Sequence, residues 1–492
     1  MAFIDSLIGY LSPSAGYRRL KYRAGIEALE LSRSYQGATK GRRWGDRKAP
    51  PTSAKAEISR DLKELRNRSR ELVRNNAHAA KGVEVIANNL VGKGIMPAFK
   101  TSADDGNDQR RDVLASLWRS WAGSTDCDFD GTLTYSGIQK LTGRAVPESG
   151  EILIRRRRVN NGVIPLKLQI LESDFLVLDD SLTATADGSY ICQGKEYNGS
   201  GELVAYHLYE EHPGNVNYFG TGVKTVRVPA EDIAHVFRID RPGQIRGVPW
   251  LAPVMLRLKD FDEFEDAQLV RQKIAACFAA FVHDITSSDD DVDDEDLDIS
   301  KFEPGIIEML PPGKTVTLAN PPGVTDYKEY STTQLQAIAA GLGISYEALT
   351  GDLSEVNFSS ARMGWLEFGR NLDSWRELMI NPMLNQKVLR WFKEAALLVG
   401  VDAQGLEATW TAPKREMIDP TREVPAKINA IRGGLVTLSE AIREQGKNPD
   451  DHLEEFSKDL QKLDSLDIIL DSDPRHTDKA GDAKAESSDD SE

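Results

Sequence analysis

The stretch "PPGKT", residues 311–315, carries the side chains most suggestive of chemistry. Gly313, Lys314 and Thr315 match the end of a phosphate-binding loop, where backbone amides cradle phosphates and the lysine reaches them. That loop needs a glycine five positions before Gly313, and Glu308 stands there. Pro311 and Pro312 fill the part that should offer amides, and proline has no N–H to donate. The segment is not built to hold a nucleotide.

The other reactive residues fare no better. "HLYEEH", 207–212, comes near the H-x-x-E-H metalloprotease spacing but is one residue too long. It reads as a strand, on which His207 and His212 face opposite ways. His235, in "IAHVFRID", has apolar neighbours and reads as a packed strand histidine rather than a base. Cys127, Cys192 and Cys277 show no C-x-x-C spacing, so neither a zinc site nor a disulfide framework is expected, and the chain suits a reducing cytosol. No G-x-S-x-G turn and no glycine-rich dinucleotide loop occurs. Arg155–Arg158 invite a nucleic-acid role, but on a strand only two of the four share a surface. A solvated strand or a subunit contact is the better reading. No catalytic residue, metal or cofactor is expected.

The elements around these residues describe a large α+β protein. Its 492 residues and mean hydropathy of -0.42 allow several substructures with real cores. The longest apolar run, Ile274–Val282, has nine residues, far short of the roughly 20 that cross a bilayer. The opening "MAFIDSLIGYLSP" lacks a basic region and does not read as a signal peptide. Helical periodicity runs from Ala56 to Asn89 in two pieces and again around Asp112–Trp121. "EILIRRRR", "PLKLQILESDFLVL", "GELVAYHLYEEHPG" and "KTVRVPAEDIAHVFRID" read as strands. A long helix from Pro249 to Val282 carries Leu258, Phe261, Val270 and Ile274 on one stripe, opposite a charged face. A helix at Thr332–Leu342 follows, then one from Ser360 to about Val399, which Pro382 should kink. Two amphipathic helices at 421–445 and 450–463 close the folded part, with Thr437 and Glu440 at capping-box spacing.

The net charge of -16 is unevenly placed. Asp284–Glu303 holds ten acids against one lysine, and Leu463–Glu492 ten acids against three basic residues. Residues 1–70 carry sixteen Lys and Arg against seven acids. A basic arm, an acidic insertion and an acidic, disordered tail therefore flank a balanced body. One further loop stands out. "GDLSEVNFSS", 351–360, precedes a Trp-rich helix that Ser359 or Ser360 can cap, and it carries acids and hydroxyls but no basic residue.

Three long stretches share a resemblance: "RSRELVRNNAHAAKGVEVIANNLVGKGIMP" (68–97), "RPGQIRGVPWLAP" (241–253) and "PTREVPAKINAIRGGLVTLSEAIREQGKNPDDHLEE" (420–455). Together, and in this order, they resemble the lambda-type portal proteins of tailed bacteriophages, over most of residues 17–462. The resemblance implies a portal fold and a ring, a dodecamer in this family, at one capsid vertex. Double-stranded viral DNA passes through its channel during packaging and ejection.

It also implies a layout and partners. The wing would take 56–248, the stem helix 249–283, the acidic clip 284–326, and a second stem helix with its return 327–350. The tunnel loop would be 351–360, with Asp352, Leu353, Ser354, Glu355, Val356, Asn357, Phe358 and Ser359 facing DNA. The long wing helix and a strand would follow at 361–420, the crown helices at 421–463 and the tail at 464–492, with the basic arm at 1–55. Leu258, Phe261, Val270 and Ile274 would pack between subunits. Asp289, Asp290, Asp291, Asp293, Asp294, Glu295, Asp296 and Asp298 would dock the terminase and later the head-completion and tail-connector proteins. A major capsid or scaffolding protein is the further expected partner; no membrane and no enzymatic activity are expected, since terminase is the separate motor. The place of action would be the virion, after assembly in the bacterial cytoplasm. The residues alone leave two other readings open: a DNA-binding or DNA-processing protein using its basic N-terminal region, and a hydrolase with a dispersed site.

Overall fold

The computed structural model describes residues 51–100, 108–178, 183–184, 188–215, 224–276, 280–284, 314–318, 327–354, 358–405, 407–417, 419–470, 473 and 475–477. The chain divides into two units, Met1–Ser53 and Ala54–Glu492, and the fold below is that of the second. The basic arm, most of the acidic clip and most of the tail lie outside the described residues.

Helix α1 (Ala54–Asn75) meets α2 (Ala77–Leu90) at Asn76, whose side chain caps α2 by accepting from the Ala79 amide at 2.9 Å. Strand β1 (Met96–Lys100), α3 (Asp108–Ala122) and α4 (Tyr135–Ser149) follow. The sequence reading had no helix at α4. Its apolar residues are sparse, and it is defined by the Thr134 cap and by Gly150, at φ +88°, past its end. Next come β2 (Glu151–Arg157), β3 (Lys167–Glu172), the short β4 (Thr183–Ala184), β5 (Tyr190–Cys192), β6 (Lys195–Tyr197), β7 (Leu203–Tyr209), β8 (Thr225–Pro229) and β9 (Ile233–Phe237). They form two antiparallel sheets, one ordered β3-β2-β9 and the other running β4 to β8 in sequence.

Central strand β2 shows how alternation divides two cores. Ile152 and Ile154 join the main helical core, while Leu153 faces the other way, onto Leu171, Tyr206, Leu208 and Ile233. Buried on both faces, its Ile152–Ile154 stretch is apolar without alternation.

Helix α5 (Met255–Ala276) stops earlier than the expected Val282. Residues 280–284 form β10, antiparallel to β11 (Lys314–Leu318), with Asp284 opposite Lys314. A helical spacing of Cys277 and Phe281 had argued for one long helix. Short apolar runs rich in aromatic and β-branched residues do not distinguish helix from strand, and here a distant partner strand decides. The backbone of Lys314, of the "GKT" stretch, is thus in an antiparallel ladder with β10.

Helices α6 (Tyr327–Leu342), α7 (Tyr346–Thr350) and α8 (Phe358–Trp375) lead into a π-helical stretch, Arg376–Asn385, and then α9 (Gln386–Leu398). The expected disturbance at Pro382 takes this form. A proline ring crowds the carbonyl four residues back in an α-turn, and a wider turn relieves it. The π stretch also aims Asn385 inward, where it accepts from Tyr135 and Gln139, both at 2.8 Å. Strand β12 (Glu407–Thr411) returns to pair with β1. Trp118 centres the aromatic core there, 4.9 Å from the Phe392 ring and 5.4 Å from Tyr135. Three helices end the fold: α10 (Pro420–Arg432), α11 (Leu438–Glu444) and α12 (Pro449–Ser465). The Thr437 hydroxyl caps α11 by accepting from Glu440, 3.1 Å away, which splits the helix expected at 421–445.

Candidate functional site

The loop at 351–360 is described only at its two ends. Ser345 caps α7, and Gly351 ends it with φ +75°, a conformation that favours glycine. Asp352 then folds the chain back. Its carboxylate accepts from the Ser354 amide at 3.0 Å and from the Tyr346 hydroxyl at 3.2 Å, while its own amide donates to Thr350. These bonds, the Ser354 amide first, hold the Asp352 carboxyl below its usual range. Leu353 stands 67% exposed. Glu355, Val356 and Asn357 lie outside the described residues, and Phe358 and Ser359 enter the first turn of α8, so that helix begins two residues before Ser360.

Both anchors of this loop are fixed to the body. Asn371 on α8 donates to the Gly343 carbonyl at 3.0 Å, between α6 and α7. Phe368 and Leu372 are buried, and Trp375 lies 4.5 Å from Trp250 of the "RGVPW" segment. The two described ends of the loop thus rest on a packed base.

The four residues expected between subunits are not equivalent. Leu258 and Phe261 are buried in the chain's own core, where Phe261 meets His78 and neighbouring Asp262 accepts from Asn76 at 3.1 Å. A charge at Phe261 would therefore cost the protomer itself about 3–5 kcal/mol, as loss of a core aromatic does. Val270, by contrast, is 54% exposed, with Leu269 beside it also exposed. The side chain of Ile274 lies outside the described residues. Helix α5 is held to α6 by Phe264 against Tyr330, ring centres 4.4 Å apart, and by Arg257 on Gln334. The eight acids between Asp289 and Asp298 lie outside the described residues.

A buried polar cluster had no place in the sequence expectations. Glu151, at the start of β2, is fully buried, and Arg246 and Arg66 close on its carboxylate at 2.6 and 3.0 Å. His235 and the Gly247 amide reach the other oxygen at 2.9 and 2.8 Å. A Cβ on Gly247 would sit 2.1 Å from the Gly150 carbonyl oxygen, so only glycine lets the start of β2 and the segment leading into α5 approach. This clasp joins α1, β2, β9 and the segment leading into α5. Burial opposes the Glu151 charge, but Arg246 first, with His235 and Arg66, holds its carboxyl well below the carboxylate range. His235 is pushed down to about 3, mainly by burial, and stays neutral. It is a packed strand histidine, as the sequence suggested. The signal in the sequence was Arg246 within "RPGQIRGVPWLAP"; its partner, ninety-five positions earlier, had none.

Lys195 lies beside this clasp, buried against the rings of Tyr206 and Phe237, and burial lowers it to about 7. Folding therefore releases a proton from it between pH 7 and its ordinary 10.5. Lys195→Met is expected to stabilise the protomer by about 1–4 kcal/mol below pH 7, a gain that shrinks towards pH 10.5. Urea titrations at pH 6 and pH 10 check this.

Other charged side chains on the sheets form ion pairs. Arg156 lies buried between Asp232 and Glu394, while Arg158, just past the end of β2, is exposed. His207 meets Glu196 at 2.8 Å. Glu172, Asp174 and His212 gather at metal-ligand separations, but the Arg70 guanidinium already bridges the two acids at 3.3 and 2.5 Å. A fixed cation occupies the place an ion would take. Among the described residues, no cluster resembles a catalytic centre.

Residues 40–376 match the model of the family described as "Phage portal protein, lambda family". The chain is 26% identical over 430 residues to the probable portal protein of Halomonas phage phiHAP-1, covering 84% of this chain and 82% of that one. It is 21% identical over 495 residues to portal protein B of Escherichia phage lambda, covering 89% and 91%. Among solved structures, a chain of the virion of a native gene transfer agent particle aligns at 14% identity with a TM-score of 0.46, covering 79% of this chain and 94% of its own. The chain belongs to the lambda family of phage portal proteins, structural rather than enzymatic proteins of the capsid vertex. The resemblance carried by the three motifs is thereby established as membership.

Proposed function

We propose that copies of this chain close into a ring, of twelve subunits as the family implies, whose channel passes double-stranded DNA during packaging and ejection. The observation that carries this reading is the stem helix α5. One end is locked into the protomer through Leu258, Phe261 and Asp262, while Leu269 and Val270 leave an uncovered apolar step farther along it. A charged helix that exposes an apolar step is suited to pack against a neighbour, and repeated head-to-tail contact closes a ring.

The charge pattern supports a sliding rather than gripping channel. Each phosphate neutralised by a protein cation adds salt-dependent affinity that would hold DNA still. The loop at 351–360 offers Asp352, Glu355, Asn357 and hydroxyls, and no Lys or Arg. In this reading it faces DNA. The acidic run Asp289–Asp298 is too charged to bury and serves as the docking face for terminase and then connector proteins. The chain itself carries no nucleotide-hydrolysing role, and acts in the virion after assembly in the host cytoplasm.

Negative-stain images of the purified chain test the reading: discrete rings with a central hole are expected. Val270→Asp should abolish them while leaving the protomer's unfolding midpoint unchanged. Monomers at every concentration of the parent protein would overturn the ring.

A further inference from the structure

The last three helices leave an apolar groove of about 400 Å³. Met417, Val424, Ile428, Ile431 and Ile442 make its floor, and Lys414, Lys427 and Lys447 stand on its rim. Lys427 is drawn onto Glu444 and Lys414 lies 3.3 Å from Glu416, whereas Lys447 meets the His452 ring rather than a carboxylate. The groove therefore favours a short aliphatic segment flanked by acids.

The chain carries such a segment. Past α12, "LDIILD" (466–471) displays Leu466, Ile468, Ile469 and Leu470 to solvent, Ile469 at 65%. The turn that displays them is built. Asp467 takes a left-handed φ of +57°, and the Ile468 amide returns to the Leu463 carbonyl at 3.0 Å. Arg475 then closes the turn, reaching both oxygens of Asp464 at 3.0 Å and Asp473 at 2.7 Å. Of the tail expected to be disordered from Asp464 onward, the described part is this closed turn.

The turn cannot reach the groove of its own chain. His452, at the start of α12, lines the groove, and the fourteen residues to Leu466 span roughly 21 Å of helix. The three steps from Leu466 to Ile469 cover at most about 11 Å, even fully extended. Four aliphatic side chains held in water by an ion-paired turn, and a basic-rimmed apolar groove one helix length away, fit each other only between molecules.

We propose that the 466–470 turn of one subunit docks in the groove between α10, α11 and α12 of the next. The occupant is a second copy of this chain, and the inference rests on the ring reading above. The contact joins two different surfaces, so it propagates around a ring instead of ending at a dimer. It would tie the helices at this end of the chain into a continuous belt.

Cross-linking tests it. Ile469→Cys and Ile431→Cys are combined in a Cys277→Ser background; Cys127 and Cys192 are buried. Mild oxidation of the full-length protein should give a ladder of covalent multimers on denaturing gels, absent from either single variant. Rings in micrographs without a ladder would overturn the docking while leaving the ring intact. A ladder without rings would support the groove contact and overturn the closed ring; neither ladder nor rings would overturn both. Ile469→Asp, at an exposed position, should leave the unfolding midpoint unchanged and raise the concentration needed for assembly about tenfold, which corresponds to 1.4 kcal/mol. An unchanged assembly concentration would also count against the contact.

Discussion

Replacing Glu151 with Gln is expected to destabilise the protomer by about 3–5 kcal/mol, the cost of removing one partner of a buried ion pair. The amide keeps the shape but removes the charge that Arg66 and Arg246 share. Both guanidiniums are buried, and Arg66 would retain only Asp174, at 3.5 Å, as an acid. Because the clasp joins α1, β2 and β9 to the segment entering α5, the loss should loosen these elements together. Urea denaturation followed by tryptophan fluorescence measures it, and an unaltered midpoint would show that the clasp contributes nothing net.

The pH dependence has a definite sign. His235 binds a proton near 6.5 when unfolded but only near 3 when folded, so its contribution is lost as pH falls from 6.5. Glu151 is protonated near 4.5 when unfolded and well below that when folded, so its contribution is lost at still lower pH. The parent protein should weaken in both windows, and Glu151→Gln only in the first. Equal acid sensitivity of the two below pH 4.5 would contradict this assignment.

Replacing residues 353–357 with two glycines should leave rings intact and abolish genome retention. Leu353 is 67% exposed, and the bonds from Tyr346 to Asp352 and from Asn371 to Gly343 lie outside the replaced segment; only the Ser354 amide bond to Asp352 falls within it. Exposed loop tips tolerate such changes without unfolding their base. In the proposed channel, however, this loop meets DNA, and without it most filled heads should leak. Electron microscopy of assembled heads, with nuclease protection of the packaged DNA, gives the measure. Heads that fill and hold DNA like the parent would reduce the loop to a connection between helices.

The amino-acid sequence determined more of this protein than its lack of catalytic motifs suggested. Periodicity placed α1, α2, α3 and the strands β2, β3, β7, β8 and β9, because each buries a face that repeats at 3.6 or 2 residues. The two prolines before Gly313 argue against a phosphate-binding loop there, since a missing amide is a property of the residue itself. Three long motifs carried the family. Tertiary structure decided what depends on partners far along the chain. Cys277 and Phe281 suited a helix until β11 offered a ladder to residues 280–284. Phe261 and Val270 share a stripe in sequence, yet one is core and the other surface, because His78 and the neighbouring helices cover only one end of α5. Glu151 carried no mark of its role. Its buried charge is tolerable only because Arg66, His235 and Arg246, from three other segments, converge on it, and convergence is a property of the fold rather than of any local stretch.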